Sequence, residues 1–279
     1  MPRQTPGPAV DINRVSELLR QVAAEIILPR HRKLGDGDIS EKDHGELVTI
    51  ADIETEKWLS RELSNLLPGS TIVGEEAAYG DRTVFDRLSD DASVWVIDPV
   101  DGTHNFTKGS EIFATIVALV RNGETVAGWI YEPFNGTLAV SETGAGVTLD
   151  GVRVQLGGGQ GPAHCDGVAA RHLFERADRD RSFIGKVYRP NCAGHEYIQI
   201  MRGERRFTAY TKLMPWDHAA GSFMIVEAGG HSALLDGAPY DVAYPVGSLL
   251  NASDEQSWRR VQSILAIQAD DNEGKPDDG

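Results

Sequence analysis

Two aspartates lie three residues apart in the segment 98–103, which reads Asp-Pro-Val-Asp-Gly-Thr. The segment follows the apolar residues 93–97, which are typical of a short buried strand. Its side chains are therefore expected at the carboxyl end of a strand, where open α/β sheets bind ligands. Pro99 favours a turn there, and two carboxylates on one rigid turn can hold a hard cation such as Mg²⁺. A capped turn with surface aspartates is the alternative for this motif alone.

Carboxylates at two other places could complete such a site. Glu75 and Glu76 follow the strand-like segment 71–74, and neighbours in an extended chain point in opposite directions, so only one should face a shared metal. Asp217 is expected to cap a helix over 217–229, where a carboxylate interacts well with the helix dipole. A solvated loop and an ordinary helix cap would explain these carboxylates separately.

The overall charge restricts the partners. The chain has 27 Lys and Arg against 42 Asp and Glu, a net charge of −15. It lacks the basic footprint of a nucleic-acid-binding protein, so no nucleic acid partner is expected. An acidic protein repels a phosphate ester unless a bound divalent cation inverts the local field. Solubility alone also accounts for the acidity.

Hydrophobic periodicity predicts the elements that position these residues. Two helices are expected over 11–29, capped by Asp11, and over 51–67, separated by a loop over 30–46. Strands are expected at 112–120, 124–131 and 137–141, after those at 71–74 and 93–97. The second half alternates helices at 193–202 and 217–229 with strands at 183–188, 205–210 and 231–235.

The Gly-rich residues 157–161 are the best candidate for a linker. We therefore divide the chain into an N-terminal α+β subdomain, 1–156, with most of the candidate ligands, a C-terminal α/β subdomain, 157–268, and a disordered acidic tail, 269–279. Cys165 and Cys192 form no metal-type pattern or disulfide framework. No secretory signal or spanning segment is evident, so a cytoplasmic protein without a membrane partner is expected.

Together the motifs resemble the inositol monophosphatase family of metal-dependent, lithium-sensitive phosphatases. The resemblance rests on Gly74-Glu75-Glu76, on the segment 98–103 and on Trp216-Asp217, in matching order and spacing, and it extends to the segment 47–52. It spans roughly residues 10–265. It implies a layered α-β-α-β-α sandwich of mixed α+β and α/β character, and a homodimer.

The resemblance also implies a ligand set for Mg²⁺, as two or three ions, with Mn²⁺ as a possible substitute. Glu75, Asp98 and the Val100 carbonyl would hold the first ion. Asp98, which would bridge, would hold a second ion with Asp101 and Asp217. A third, weaker ion would lie near Glu75.

The catalytic roles implied by the resemblance fall on Glu75, Thr103 and Asp52. Thr103 and Glu75 would position or deprotonate the attacking water, and Asp52 would support Thr103. The amides of Gly102 and Thr103 would hold phosphate oxygens. Lys42 is expected near the metal entrance, and no covalent phosphoenzyme is expected.

Position 210 departs from the family pattern. Members that prefer inositol place a glutamate seven residues before Asp217, and this chain has Tyr210. The segment 191–193 also differs, so inositol specificity is in doubt while phosphatase activity is not. The substrate contacts implied by the resemblance are Gly102, Thr103, Ala193, Tyr210 and Asp217.

The sequence therefore predicts a Mg²⁺-dependent phosphomonoesterase that hydrolyses a small polyol or sugar phosphate by direct attack of a metal-activated water. Histidinol phosphate, fructose 1,6-bisphosphate and a nucleotide 3′-phosphate are the alternative substrates. A non-catalytic, metal-stabilised binding protein is the alternative from another class.

Overall fold

The computed structural model describes residues 10–35, 37–42, 46–157, 164–169, 173, 182–244 and 246–265. Helix α1, Ile12–Val22, begins after Asp11, whose carboxylate accepts the Arg14 backbone N–H at 3.0 Å. It continues through a π-helical segment, Ala23–Ile27, into the short α2, Leu28–Arg30. The helix predicted over 11–29 is confirmed, apart from this π-helical segment.

The region predicted as a loop over 30–46 holds part of a small ribbon. Strands β1, Ile39–Glu41, and β2, Leu47–Thr49, pair antiparallel. Helix α3, Ile50–Leu66, follows at once and confirms the predicted second helix.

The large sheet has seven strands in chain order, and its first pair is parallel while the others are antiparallel. Every residue of the second strand is buried, which fits a sheet covered on both faces. The strands are β3 Thr71–Gly74, β4 Val94–Asp101, β5 Ala114–Arg121, β6 Glu124–Glu132, β7 Thr137–Glu142, β8 Gly146–Leu149 and β9 Val152–Val154. The last two were not predicted.

Short helices follow the first two strands of this sheet. Helix α4, Glu75–Gly80, and a 3₁₀ helix, Arg82–Ser89, lie between β3 and β4. Helix α5, Thr103–Thr107, comes directly after β4. The predicted strand at 71–74 is confirmed, but the alternation expected of an extended chain does not apply to Glu75 and Glu76, because both lie in the first turn of α4.

Within the described residues, the second sheet has five strands in the order β11-β10-β12-β14-β13, and β10 is parallel to both of its neighbours. These strands are β10 Cys165–Ala169, β11 Ile184–Tyr188, β12 Phe207–Tyr210, β13 His231–Leu234 and β14 Leu249–Ala252. The helices of this half whose bounds the structure describes are α6 Ala193–Met201, α7 Pro215–Glu227 and α8 Glu255–Leu265.

Three apolar clusters join these elements into five layers. Helices α1 and α3 pack on one face of the large sheet, around Trp95 and Trp129. Helices α6 and α7 cover its other face, where Tyr197 and Ala220 are fully buried. Helix α8 packs on the small sheet through Trp258. This order of layers is the predicted α-β-α-β-α sandwich.

The boundary proposed at 157 stays a prediction, and the predicted tail, 269–279, lies outside the described residues. Within the described part of the chain, no helix combines the length and the apolar character that crossing a membrane requires.

Candidate metal centre and active site

The end of β4 is a bulge, where a turn was predicted. The strand continues through Pro99 to Asp101, and its pairing with β5 shifts register between Asp98 and Asp101. In a regular strand, residues three apart point to opposite faces. The bulge changes this alternation, and both aspartates reach the same site. The Thr115 hydroxyl donates to the Pro99 carbonyl at 2.9 Å and fixes this irregular backbone.

Asp217 reaches the same site from α7. It was predicted as the helix cap, but the cap is Met214. The helix begins at Pro215, and Asp217 is its third residue. One carboxylate oxygen each from Asp98, Asp101 and Asp217 lie within 4.8 Å of one another. Two segments 116 residues apart, counted from Asp101 to Asp217, thus bring three of the predicted ligands together.

The electrostatics of this cluster favour a cation. Burial raises the pKa of Asp98 well above its usual value, and the charges of Glu75, Asp101 and Asp217 raise it further. Burial, followed by the charge of Asp101, raises the pKa of Asp217 to about 7. Asp98 Oδ1 is buried and has no hydrogen-bond partner in the described structure. An all-oxygen donor set with an unsatisfied acceptor fits a hard dication such as Mg²⁺.

Asp101 also ties the large sheet to the C-terminal half. Its carboxylate accepts the backbone N–H of Ala193 at 3.1 Å and of Gly194 at 2.6 Å, and the Cys192 thiol at 3.1 Å. These are the first amides of α6, so a strand side chain stabilises the helix N-terminus. A Cβ at position 194 would lie 2.8 Å from the Ala114 Cβ, so this approach requires glycine.

Glu75, Glu76 and Lys42 form a second charged group beside the aspartates. Lys42 Nζ lies 3.2 Å from Glu75 Oε1 and 2.7 Å from Glu76 Oε1. Burial raises the pKa of Glu75 to about 8, against the charge of Lys42. Glu75, unlike Glu76, lines a cavity of about 200 Å³ together with Asp98, Val100 and the other two aspartates.

Thr103 and Asp52 meet beside this cavity. Asp52 completes a capping box with Thr49 at the start of α3, and its Oδ1 lies 3.2 Å from the Thr103 hydroxyl. The same hydroxyl lies 3.0 Å from the Val100 carbonyl, the predicted main-chain ligand. Burial raises the pKa of Asp52 to about 6. Gly102 precedes α5 with φ of 85°, in the left-handed region that glycine readily adopts.

A larger cavity of about 620 Å³ shares Asp101 and Asp217 with this site. Two residues predicted to contact the substrate, Ala193 and Tyr210, line this cavity, and the Ala193 N–H already donates to Asp101. The Tyr210 hydroxyl donates to Glu196 Oε2 at 2.7 Å, and burial raises the pKa of Glu196 to about 8. The Tyr210 ring packs on His218, with ring centroids 4.4 Å apart.

Sequence reasoning missed two buried glutamates at the site. Glu56 accepts the backbone N–H groups of Glu76 and Ala77 at the start of α4, at 2.7 and 2.9 Å. It follows Asp52 by four residues and so shares its helix face, a spacing that could have identified it. Glu196 gave no local signal, because its partner Tyr210 belongs to a different element.

Residues 11–270 match the sequence model of the inositol monophosphatase family. The chain belongs to this family. An inositol-1-monophosphatase of Caulobacter vibrioides is 32% identical over 238 residues, which cover 77% of this chain and 86% of the relative. A fructose-1,6-bisphosphatase/inositol-1-monophosphatase of Aquifex aeolicus is 26% identical over 241 residues, which cover 82% and 87% of the two chains.

This chain shares its fold with a solved inositol monophosphatase/NADP phosphatase, whose structure contains Mg²⁺ and phosphate. Its TM-score is 0.77 at 18% identity, and the match covers 92% of this chain and 95% of that one. As a member of the inositol monophosphatase family, the chain is a phosphoric monoester hydrolase.

Proposed function

We propose that this enzyme is a Mg²⁺-dependent phosphomonoesterase that hydrolyses a small polyol or sugar phosphate by direct attack of water. The observation that carries the proposal is the meeting of Asp98, Asp101 and Asp217 with an unpartnered buried oxygen on Asp98. Glu75 and the Val100 carbonyl line the adjoining cavity and would complete the ligand set. Bound Mg²⁺ would neutralise charge on the phosphate and make a nearby water more acidic.

The protein groups around this cavity can hold and deprotonate a water. The Thr103 hydroxyl has one proton to donate, to Asp52 or to the Val100 carbonyl, and its lone pairs can then accept a hydrogen bond from water. Burial raises the pKa of Glu75 to about 8 in the metal-free protein, and a bound dication would favour its carboxylate form, which can accept a proton from the water near neutral pH. The Gly102 and Thr103 amides would hold phosphate oxygens at the start of α5.

The leaving group would then lie in the larger cavity, next to Asp217, Ala193 and Tyr210. This arrangement requires no protein nucleophile, because in-line attack on a phosphate depends on positioning and on charge neutralisation. Cys192, the nearby thiol, is buried, and burial raises its pKa well above the usual value, so it is a poor nucleophile.

Phosphate release from p-nitrophenyl phosphate and a broad panel of phosphate metabolites, with Mg²⁺ or with excess chelator, tests this proposal. We expect turnover to depend on Mg²⁺ and to fall when lithium is added. Full turnover in chelator would contradict the metal requirement. Binding of Mg²⁺, seen as a thermal shift, without phosphate release from any ester would instead indicate a non-catalytic binding protein.

A further inference from the structure

The cavity that would take the leaving group opens at the carboxyl ends of parallel strands. Strand β10 pairs in parallel with both β11 and β12, so the last residues of all three lie at one edge of the small sheet. Arg189 comes directly after β11, and Lys212 comes two residues after β12. Both side chains line the cavity with Asp101 and Asp217. Two cations therefore lie around the space beside the phosphate site.

Arg189 differs from the other charged groups of this cavity, because its charge is not matched within the described structure. Its Nε donates to the Ala169 carbonyl at 3.0 Å, which holds the guanidinium against the end of β10. The terminal nitrogens have no carboxylate within ion-pair distance among the described residues. Lys212, by contrast, forms an ion pair with Glu46.

The acidic groups of the cavity are already engaged. Asp101 accepts hydrogen bonds from the start of α6, and Asp217 belongs to the aspartate cluster. The Glu196 carboxylate accepts the Tyr210 hydroxyl. Among the described residues, the Arg189 guanidinium is thus the charged group of the cavity that no opposite charge matches, and its planar fork fits a carboxylate or a phosphate.

We propose that the leaving group carries a second acidic group, a carboxylate or a second phosphate, and that Arg189 binds it. This inference rests on the proposed function, and it makes Arg189 a specificity-determining residue. A cavity of about 620 Å³ has room for a leaving group of sugar size together with such a group.

Competitive inhibition of p-nitrophenyl phosphate hydrolysis tests the inference with two matched pairs of phosphate esters. In the first pair, 3-phosphoglycerate has a carboxylate where glycerol 3-phosphate has a hydroxymethyl group. In the second pair, fructose 1,6-bisphosphate has a second phosphate that fructose 1-phosphate lacks. For at least one pair, the doubly acidic ester should inhibit about ten-fold more tightly, as expected of a charge-assisted bond.

Variants of Arg189 assign this preference to one side chain. Arg189→Gln should bring the ratio of the two inhibition constants close to one, and Arg189→Lys should keep part of the preference. Lys186→Gln is the matched control, since Lys186 is an exposed cation on β11 that does not line the cavity. It should leave the ratio unchanged.

The outcomes separate the two proposals. A preference confined to one pair identifies the second acidic group as a carboxylate or as a phosphate. Equal inhibition constants within both pairs overturn the role of Arg189, and so does a preference that survives in Arg189→Gln. Neither result affects the phosphatase assignment. A preference lost equally in Lys186→Gln would indicate general attraction and overturn it too. Absence of any Mg²⁺-dependent hydrolysis would overturn the proposed function and this inference with it.

Discussion

At the scale of single residues, the surroundings of Asp98 fit its proposed role as a metal ligand. The side chain is 2% exposed, and burial raises its pKa together with the charges of the neighbouring carboxylates. Its Oδ1 meets no donor in the described structure. An oxygen in this position costs free energy unless a metal ion or a proton binds it.

Asp98→Asn should reduce turnover by at least ~10³-fold, because each hydrolytic metal contributes several kcal/mol to the transition state. In chelator near neutral pH the variant should melt at a higher temperature than the wild type, since folded Asp98 must either hold a proton above its ordinary pKa or carry a charge beside other carboxylates, and asparagine removes this cost. The rise in melting temperature on adding Mg²⁺ should shrink. Phosphate release and thermal melts measure these changes.

Asp91→Asn is the control for Asp98→Asn, because Asp91 is exposed in the loop before β4. It should change neither turnover nor the Mg²⁺-induced shift. Turnover close to that of the wild type in Asp98→Asn would refute the assignment of this carboxylate.

Glu75→Gln and Glu76→Gln form a matched pair, since both glutamates contact Lys42 and each variant loses one charge there. Only Glu75 lines the cavity of the aspartates. Glu75→Gln should therefore reduce turnover ~10²-fold or more beyond the effect of Glu76→Gln. Steady-state kinetics at saturating Mg²⁺ compares the two, and equal losses would show that the carboxylates share one role.

The proposed ligand residues could be identified from sequence because their types and spacing repeat a known pattern, and the structure brings three of them together. The hydrogen-bond partners of the site residues could not be predicted from sequence. The contacts of Asp101 with the start of α6 and the bond from Tyr210 to Glu196 join residues that are far apart in the chain. The sequence departure at Tyr210 was evident, but the carboxylate that it contacts was not.

At the scale of elements, the long helices and the apolar strands followed from periodicity. The errors fall where local chemistry was ambiguous. Pro99 suggested a turn, yet a bulge accommodates it within β4. Asp217 suggested a cap, but Pro215 is favoured in the first turn and the helix begins there. The short strands β8 and β9 have too few residues to show a period.

Gly221 allows α7 to approach α6, because a Cβ at this position would overlap the Tyr197 ring. Gly221→Ala should destabilise the protein by about 1–3 kcal/mol through overpacking. Helix propensity alone would predict a gain of about 1 kcal/mol, so the sign separates the two effects. Denaturant unfolding with Mg²⁺ present measures it.

Gly80→Ala provides the comparison for Gly221→Ala. A Cβ at position 80, the last residue of α4, would meet nothing within 4 Å. This variant should be as stable as the wild type or slightly more stable. If Gly221→Ala behaves in the same way, the contact between α6 and α7 is looser than the structure shows.

At the scale of the whole molecule, the aspartate cluster exists only when α7 is packed against the large sheet. Asp98 and Asp101 belong to the large sheet, while Asp217 lies on a helix that packs between the sheets. Folding therefore gathers like charges that the unfolded chain keeps apart. Metal binding and folding stability should be coupled through these charges.

The pH dependence of stability should reveal this coupling. In the folded, metal-free protein the pKa of Glu75 is raised from 4.5 to about 8, and that of Asp217 from 3.8 to about 7. Below both ordinary values, each group is protonated in the folded and the unfolded states, and neither costs stability. As the pH rises towards 8, the folded state resists losing these protons, and stability falls by an amount on the order of a few kcal/mol.

Added Mg²⁺ should offset this loss, because it binds the deprotonated carboxylates. The Mg²⁺-induced rise in melting temperature should therefore be small near pH 5 and large near pH 8. These values lie at roughly the two ends of the titration of Glu75 and Asp217. Glu196, whose pKa is raised from 4.5 to about 8, also lowers stability as the pH rises between these values, but it lies outside the proposed ligand set. The difference between melts with and without Mg²⁺ is therefore the quantity to compare. Asp98→Asn should flatten that difference, whereas Asp91→Asn should not. A Mg²⁺-induced shift that is the same at both pH values would mean that the buried carboxylates do not bind the ion.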